Sequence, residues 1–146
     1  MNQAKAYLNQ IRELDVKIRQ RRDEIDALRE TAMSQSMQLD ADRIRTDSPD
    51  QDPMATKVIR YVEIQKEVED LLLELMELKH TVIGQIHQLN DANLMTVLCM
   101  RYVELMTWEQ IADDMGYSLQ HVFRIHGKAL EAFGQKFDIR REDESK

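Results

Sequence analysis

The first pattern along the chain is a narrow apolar seam. Ala4, Tyr7, Ile11, Leu14, Ile18, Arg21, Ile25, Leu28 and Ala32 follow one another at alternating spacings of three and four. That is the heptad signature of a helix packing along a single line, sustained over about four heptads. Arg21 is the one charged residue in the seam, and Arg12, Glu13, Lys17, Arg22, Asp23, Asp26 and Arg29 fill the other faces. The spacing predicts a coiled-coil helix over residues 1–33. An ordinary amphipathic helix inside a globule is the alternative.

Residues 34–53 break this periodicity. Ser34-Gln35-Ser36 and the run from Thr46 to Pro53 are polar and acidic, and both prolines of the chain, Pro49 and Pro53, lie here. The composition predicts a linker. Asp52-Pro53 then reads as a helix start, because Asp caps free N–H groups and Pro has no N–H to lose at the first helical position. The following segment, residues 54–90, contains no Pro and only Gly84. Tyr61, Ile64, Val68, Leu71, Leu72, Leu75, Leu78, Val82, Ile86 and Leu89 form a broader stripe, as expected of a central helix with two neighbours. At the standard rise it would be about 50 Å long. Antiparallel pairing with residues 4–32 is the simplest topology. Pairing between two chains is the alternative.

Residues 91–136 change character again. Three short apolar-periodic pieces follow Asn90-Asp91-Ala92-Asn93: a helix from Leu94 to Leu105, one capped by Thr107 and ended by Gly116, and one capped by Ser118 that runs to about Phe133. Residues 137–146 form a charged tail. The expected fold is therefore all-α: a long helical hairpin or coiled-coil arm, followed by a small C-terminal helix-turn-helix module.

The segment from Thr107 to Phe133, TWEQIADDMGYSLQHVFRIHGKALEAF, carries the functional signal. Ile111 and Met115 face inward one turn apart, and Ala112 is small enough for two helices to cross closely. Gly116 suits a left-handed turn. Ser118 suits an N-cap, and Val122 and Ile125 face back onto the first helix. An αα-corner that never touches DNA packs in the same way. The outward residues favour contact. Gln120, His121, Phe123, Arg124 and Lys128 avoid the apolar face, and no acidic residue lies between Ser118 and Lys128. Gln reads adenine edges, Arg reads guanine or grips phosphate, and Lys suits phosphate. Leu119 and Phe123 are unusual on a reading face and suit thymine methyls or a protein partner.

Charge tempers this picture. The 146-residue chain has a net charge of −7, and no segment is strongly basic. Phosphate contact would thus depend on a few placed residues, and one chain would bind weakly. Other chemistry finds no footing. Cys99 is alone, and the histidine pairs His80/His87 and His121/His126 miss the i, i+4 spacing of a helical metal pair. No phosphate-binding loop or nucleophile motif is present, so neither catalytic residues nor a cofactor or metal are expected. The longest nearly apolar run, Leu94 to Met100, is far short of the roughly 20 residues of a membrane span. The solitary thiol, with no secretory segment, suggests the cytoplasm.

The same residues resemble a known family. TWEQIADDMGYSLQHVFRIHGKALEAF is similar to region 4 of bacterial sigma factors, and Leu94 to Val103 is similar to the helix that precedes it there. The chain as a whole resembles small phage- and prophage-encoded transcriptional regulators of the ArpU/RinA kind, on its IRELD-type first helix, its linker ending in Asp52-Pro53-Met54, its long second helix and the region-4-like module. The resemblance implies late-gene transcription control in the host bacterial cytoplasm, in association with the nucleoid, through promoter or operator double-stranded DNA and host RNA polymerase. It places base-reading positions at Leu119, Gln120, Phe123 and Arg124, and backbone-contacting positions at Thr107, Trp108, Ser118, His121 and Lys128. Sigma factors usually carry basic residues where this chain has Leu119 and Phe123, so the resemblance does not carry over specificity for a standard −35 element. A homodimer through the helical arm would compensate for a weak module. Two rivals are a phage terminase small subunit, which recognises DNA for packaging, and an interaction protein whose helix pair binds polymerase.

Overall fold

The computed structural model describes residues 2–41 and 53–137, with side chains for 2–34 and 53–137. It contains α1 (Gln3–Leu8), α2 (Gln10–Ala41), α3 (Pro53–His87), α4 (Ala92–Leu98), α5 (Trp108–Met115) and α6 (Leu119–Lys136), with a π-helical turn, Cys99–Val103, continuing α4. Among the described residues there is no strand, so the chain is all-α. No helix among them is long and apolar enough to cross a membrane.

Three boundaries differ from the pattern. The first helix is interrupted at Asn9, a residue of low helix propensity, although its N–H still bonds to the Lys5 carbonyl at 2.9 Å. Asn2 caps the N-terminus, its Oδ1 accepting from the N–H groups of Ala4 and Lys5. At the other end α2 runs on to Ala41, so residues 34–41 of the expected linker are helical. Polarity misled there: Met33, Gln35, Met37, Gln38 and Leu39 are good helix formers, and no Gly or Pro interrupts them. Residues 42–52, with Pro49 and the expected cap Asp52, lie outside the described residues, as does the tail from Asp138. Pro53 does occupy the first position of α3. The helix expected from Leu94 to Leu105 stops being α-helical at Leu98 and winds as a π turn, with Leu105 left-handed at φ 58°.

The chain divides into two compact units. One is Asp15–Glu74, an antiparallel pairing of α2 with α3. Arg21 meets Glu67 at 3.2 Å, Glu24 meets Arg60 at 3.4 Å, and Arg29 donates to the Tyr61 hydroxyl at 3.0 Å. Ile18, Ile64 and Val68 are buried within this unit. The charged member of the seam is thus explained: Arg21 lies half-buried between Glu24 and Glu67. Its guanidinium holds the Glu24 carboxyl below the usual range, chiefly through their hydrogen bond. The α2 seam is covered by α3 of the same chain, the simpler of the two topologies.

The other unit joins the residues before Asp15 to those from Leu75 onward. Leu8, Ile11, Val82, Ile86, Val97, Leu98, Tyr102 and Phe133 form its interior. Helix α6 packs against α4 and α1. The Tyr7 hydroxyl donates to Gln85 Oε1 at 2.7 Å, and its ring lies 5.9 Å from that of Phe133. Between α3 and α4, Asn90 turns the chain at φ 57°, a conformation Asn tolerates better than most residues. Asp91 then caps α4 by accepting from the Leu94 N–H.

Candidate nucleic-acid interface

Helix α5 begins with a reciprocal cap. Thr107 Oγ1 accepts from the Gln110 N–H at 3.2 Å, and Gln110 Oε1 accepts from the Thr107 N–H at 3.0 Å. The helix ends at Gly116, which is left-handed at φ 70°. The Tyr117 N–H returns to the Ala112 carbonyl and the Gly116 N–H to that of Asp113, closing a Schellman turn. Ser118 starts α6, its Oγ accepting from the His121 N–H at 3.2 Å. Ile111, Ala112 and Val122 are buried where the helices cross, with Met100, Met106, Trp108 and Met115 packed around them. Small, left-handed and capping residues therefore sit where the sequence places them.

Burial of Val122, Ile125, Ala129 and Phe133 fixes the rotation of α6. Leu119, Gln120, Phe123, Arg124 and Lys128 are consequently exposed. Before Glu131, its first carboxylate, the helix offers one amide, one guanidinium and one ammonium group. The other four candidates have local structural duties. Thr107 and Ser118 bond to their own helix starts. His121 is half-buried, edge-on to Tyr117 at 4.5 Å. Trp108 is half-buried in a brace of side chains that periodicity did not reveal.

That brace consists of Arg101, Tyr102, Trp108, Phe123 and His126. Arg101 lies over the indole at 4.3 Å and donates to the Met106 carbonyl at 3.0 Å. Phe123 and His126 meet the indole edge-on, with centroids at 5.2 and 4.6 Å. Phe123, though 48 % exposed, therefore has a partner in its own chain, which accounts for an aromatic on this face. Tyr102 Oη and His126 Nε2 are 2.6 Å apart. Burial, then Lys5 and Arg101, pushes the imidazole down to about 4, while burial pushes the phenol up to about 12. Both are neutral at pH 7, so a single proton links Tyr102 Oη and His126 Nε2, and the imidazole tautomer sets which of the two donates. Arg101 and Tyr102 belong to the π turn, in which the Glu104 N–H reaches the Cys99 carbonyl at 2.9 Å. A 3.6-residue pattern cannot align residues across such a turn, which is why sequence reading missed these partners.

Burial raises the Cys99 thiol above its usual range, which keeps it protonated at neutral pH. Among the described residues no three His, Cys, Asp or Glu side chains gather as metal ligands.

No curated protein and no solved structure matches the chain. Residues 86–132, which run from the end of α3 through most of α6, match the family model Sigma-70, region 4, and the α5–turn–α6 unit is a helix-turn-helix similar to that DNA-binding region.

Proposed function

We propose that this chain is a sequence-specific DNA-binding regulator of transcription, in which α6 enters the major groove. The observation that carries the reading is the exposed set Gln120, Arg124 and Lys128 on α6 of a sigma-70-region-4-like helix-turn-helix. Gln120 and Arg124 have the chemistry to read base edges. Lys128 is suited to phosphate, and Ser118 and Thr107 present helix N-termini of the kind that accept phosphate oxygens. Trp108 and His121 act by holding α6 in place. Resemblance to the ArpU/RinA kind extends the reading to late-gene activation by a phage or prophage, with host RNA polymerase as partner, in the host cytoplasm and at the nucleoid. The acidic chain supports a homodimer, since two modules joined through the arm multiply a weak contact. No catalytic step and no cofactor enters this function.

A second reading has its own observation. Tyr117, at 38 % exposed, and Leu119, at 39 %, leave apolar surface beside the reading face, as a module that docks on polymerase would. One selection separates the two readings. The purified protein is incubated with a promoter-fragment library, and retained DNA is sequenced for the wild type and for Arg124→Ala/Lys128→Ala. Enrichment of one sequence, lost in the double variant, supports the DNA reader. Equal inertness of both proteins refutes it in favour of the protein-docking module.

A further inference from the structure

Helix α3 carries a second stripe that no described residue covers. Ile59, Val62, Leu73 and Met76 are 60, 57, 60 and 66 % exposed. With the exposed Lys66 and Glu69 they continue at spacings of three, four, three, four and three. At 100° per residue this stripe is centred about 150° from the line of Ile64, Val68 and Leu75, the buried face of the same helix. A heptad line of apolar groups facing water is the pattern of a helix seam awaiting a partner.

The order of residue types along the stripe identifies the partner. It reads apolar, apolar, cation, anion, apolar, apolar, so reversing its direction exchanges only the two charges. A two-fold axis midway between Lys66 and Glu69 sets Ile59 against Met76, Val62 against Leu73, and Lys66 against Glu69, each contact occurring twice. That is the self-complementarity an isologous interface requires. Parallel pairing would instead set lysine against lysine and glutamate against glutamate. Neighbouring charges on this helix are already engaged, Arg60 with Glu24 and Glu63, and Glu67 with Arg21. Among the described residues, Lys66 and Glu69 have no ion pair.

We infer that α3 pairs antiparallel with α3 of a second copy of this chain through this stripe. The inference rests on the dimeric reading above and adds the face and the direction. The test is sedimentation of the full chain: wild type, Lys66→Glu, Glu69→Lys, and an equimolar mixture of the two variants. Both substitutions lie on exposed helix, and circular dichroism checks that helicity is kept. The wild type should be dimeric. Each variant alone sets like charges against each other twice and should dissociate about tenfold or more readily. The mixture should regain wild-type dimerisation, because each chain then meets its complement, an outcome no effect within one helix can produce. Variants that dimerise as the wild type does, or a mixture that fails to recover, would overturn this face and direction while leaving dimerisation intact. A wild type that stays monomeric would instead refute the dimeric reading itself, and this inference with it.

Discussion

Acidification should loosen the helix-turn-helix through a single residue, His126. Its imidazole is hydrogen-bonded to the Tyr102 hydroxyl at 2.6 Å and is held down to about 4 by burial, Lys5 and Arg101. In the unfolded chain it should titrate near the ordinary value of about 6.5. The folded state thus binds its proton less readily, so its stabilising effect is complete above pH 6.5. That effect is lost as the pH falls from about 6.5 towards 4. Applied in full, this difference amounts to about 2.5 kcal/mol between pH 7.5 and 4.5. The ring is only half-buried, so solvent screening reduces the effect to about 1–1.5 kcal/mol. Trp108 is the single tryptophan and touches His126, so its fluorescence reports unfolding of this unit. The urea midpoint should fall by about 0.5–1 M over that pH interval. His126→Gln keeps a hydrogen-bonding partner for Tyr102 but cannot titrate, and its midpoint should be flatter by that amount. A variant with the full pH dependence of the wild type would show that His126 is not the group that titrates.

Three further substitutions probe the scaffold. Gly116→Ala has open space around its new methyl group, so its cost is that of φ 70° alone, about 1–2 kcal/mol by urea titration. Thr107→Ala removes one half of the reciprocal cap and should cost about 1 kcal/mol in the same assay. Phe123→Ala should destabilise the free protein by about 1 kcal/mol through lost contact with Trp108, whereas an unattached surface ring would cost nothing.

The legible parts of the sequence were those governed by local chemistry. Gly116, Ser118 and Thr107 each serve a backbone need that few other residue types meet, and the structure places each as read. The α2 seam and the α3 stripe that face each other were visible because burial on one side of a helix leaves a 3.6-residue period. Three things escaped. Helix α2 continues through 34–41 because polarity does not by itself end a helix when Gly and Pro are absent. The π turn shifts the register after Leu98, so Arg101 and Tyr102 could not be aligned with Trp108 and His126. The exposed stripe from Ile59 to Met76 was hidden by the broader apolar band on the opposite side of the same helix. Leu119 keeps the odd exposure seen in the sequence, whereas Phe123 is explained by a contact that spans two helices.

The proposal that α6 reads DNA rests on Gln120, Arg124 and Lys128. Its most direct test is fluorescence anisotropy with the fragment recovered from the library and with a scrambled version, across a series of salt concentrations, for wild type, Arg124→Ala and Lys128→Ala. Arg124→Ala should lose discrimination between the two sequences, at a cost of about 1–3 kcal/mol on the true site. Lys128→Ala should weaken both alike and reduce the slope of log affinity against log salt by about 1. Binding to both fragments that is unchanged in both variants would mean that α6 does not contact DNA through these residues.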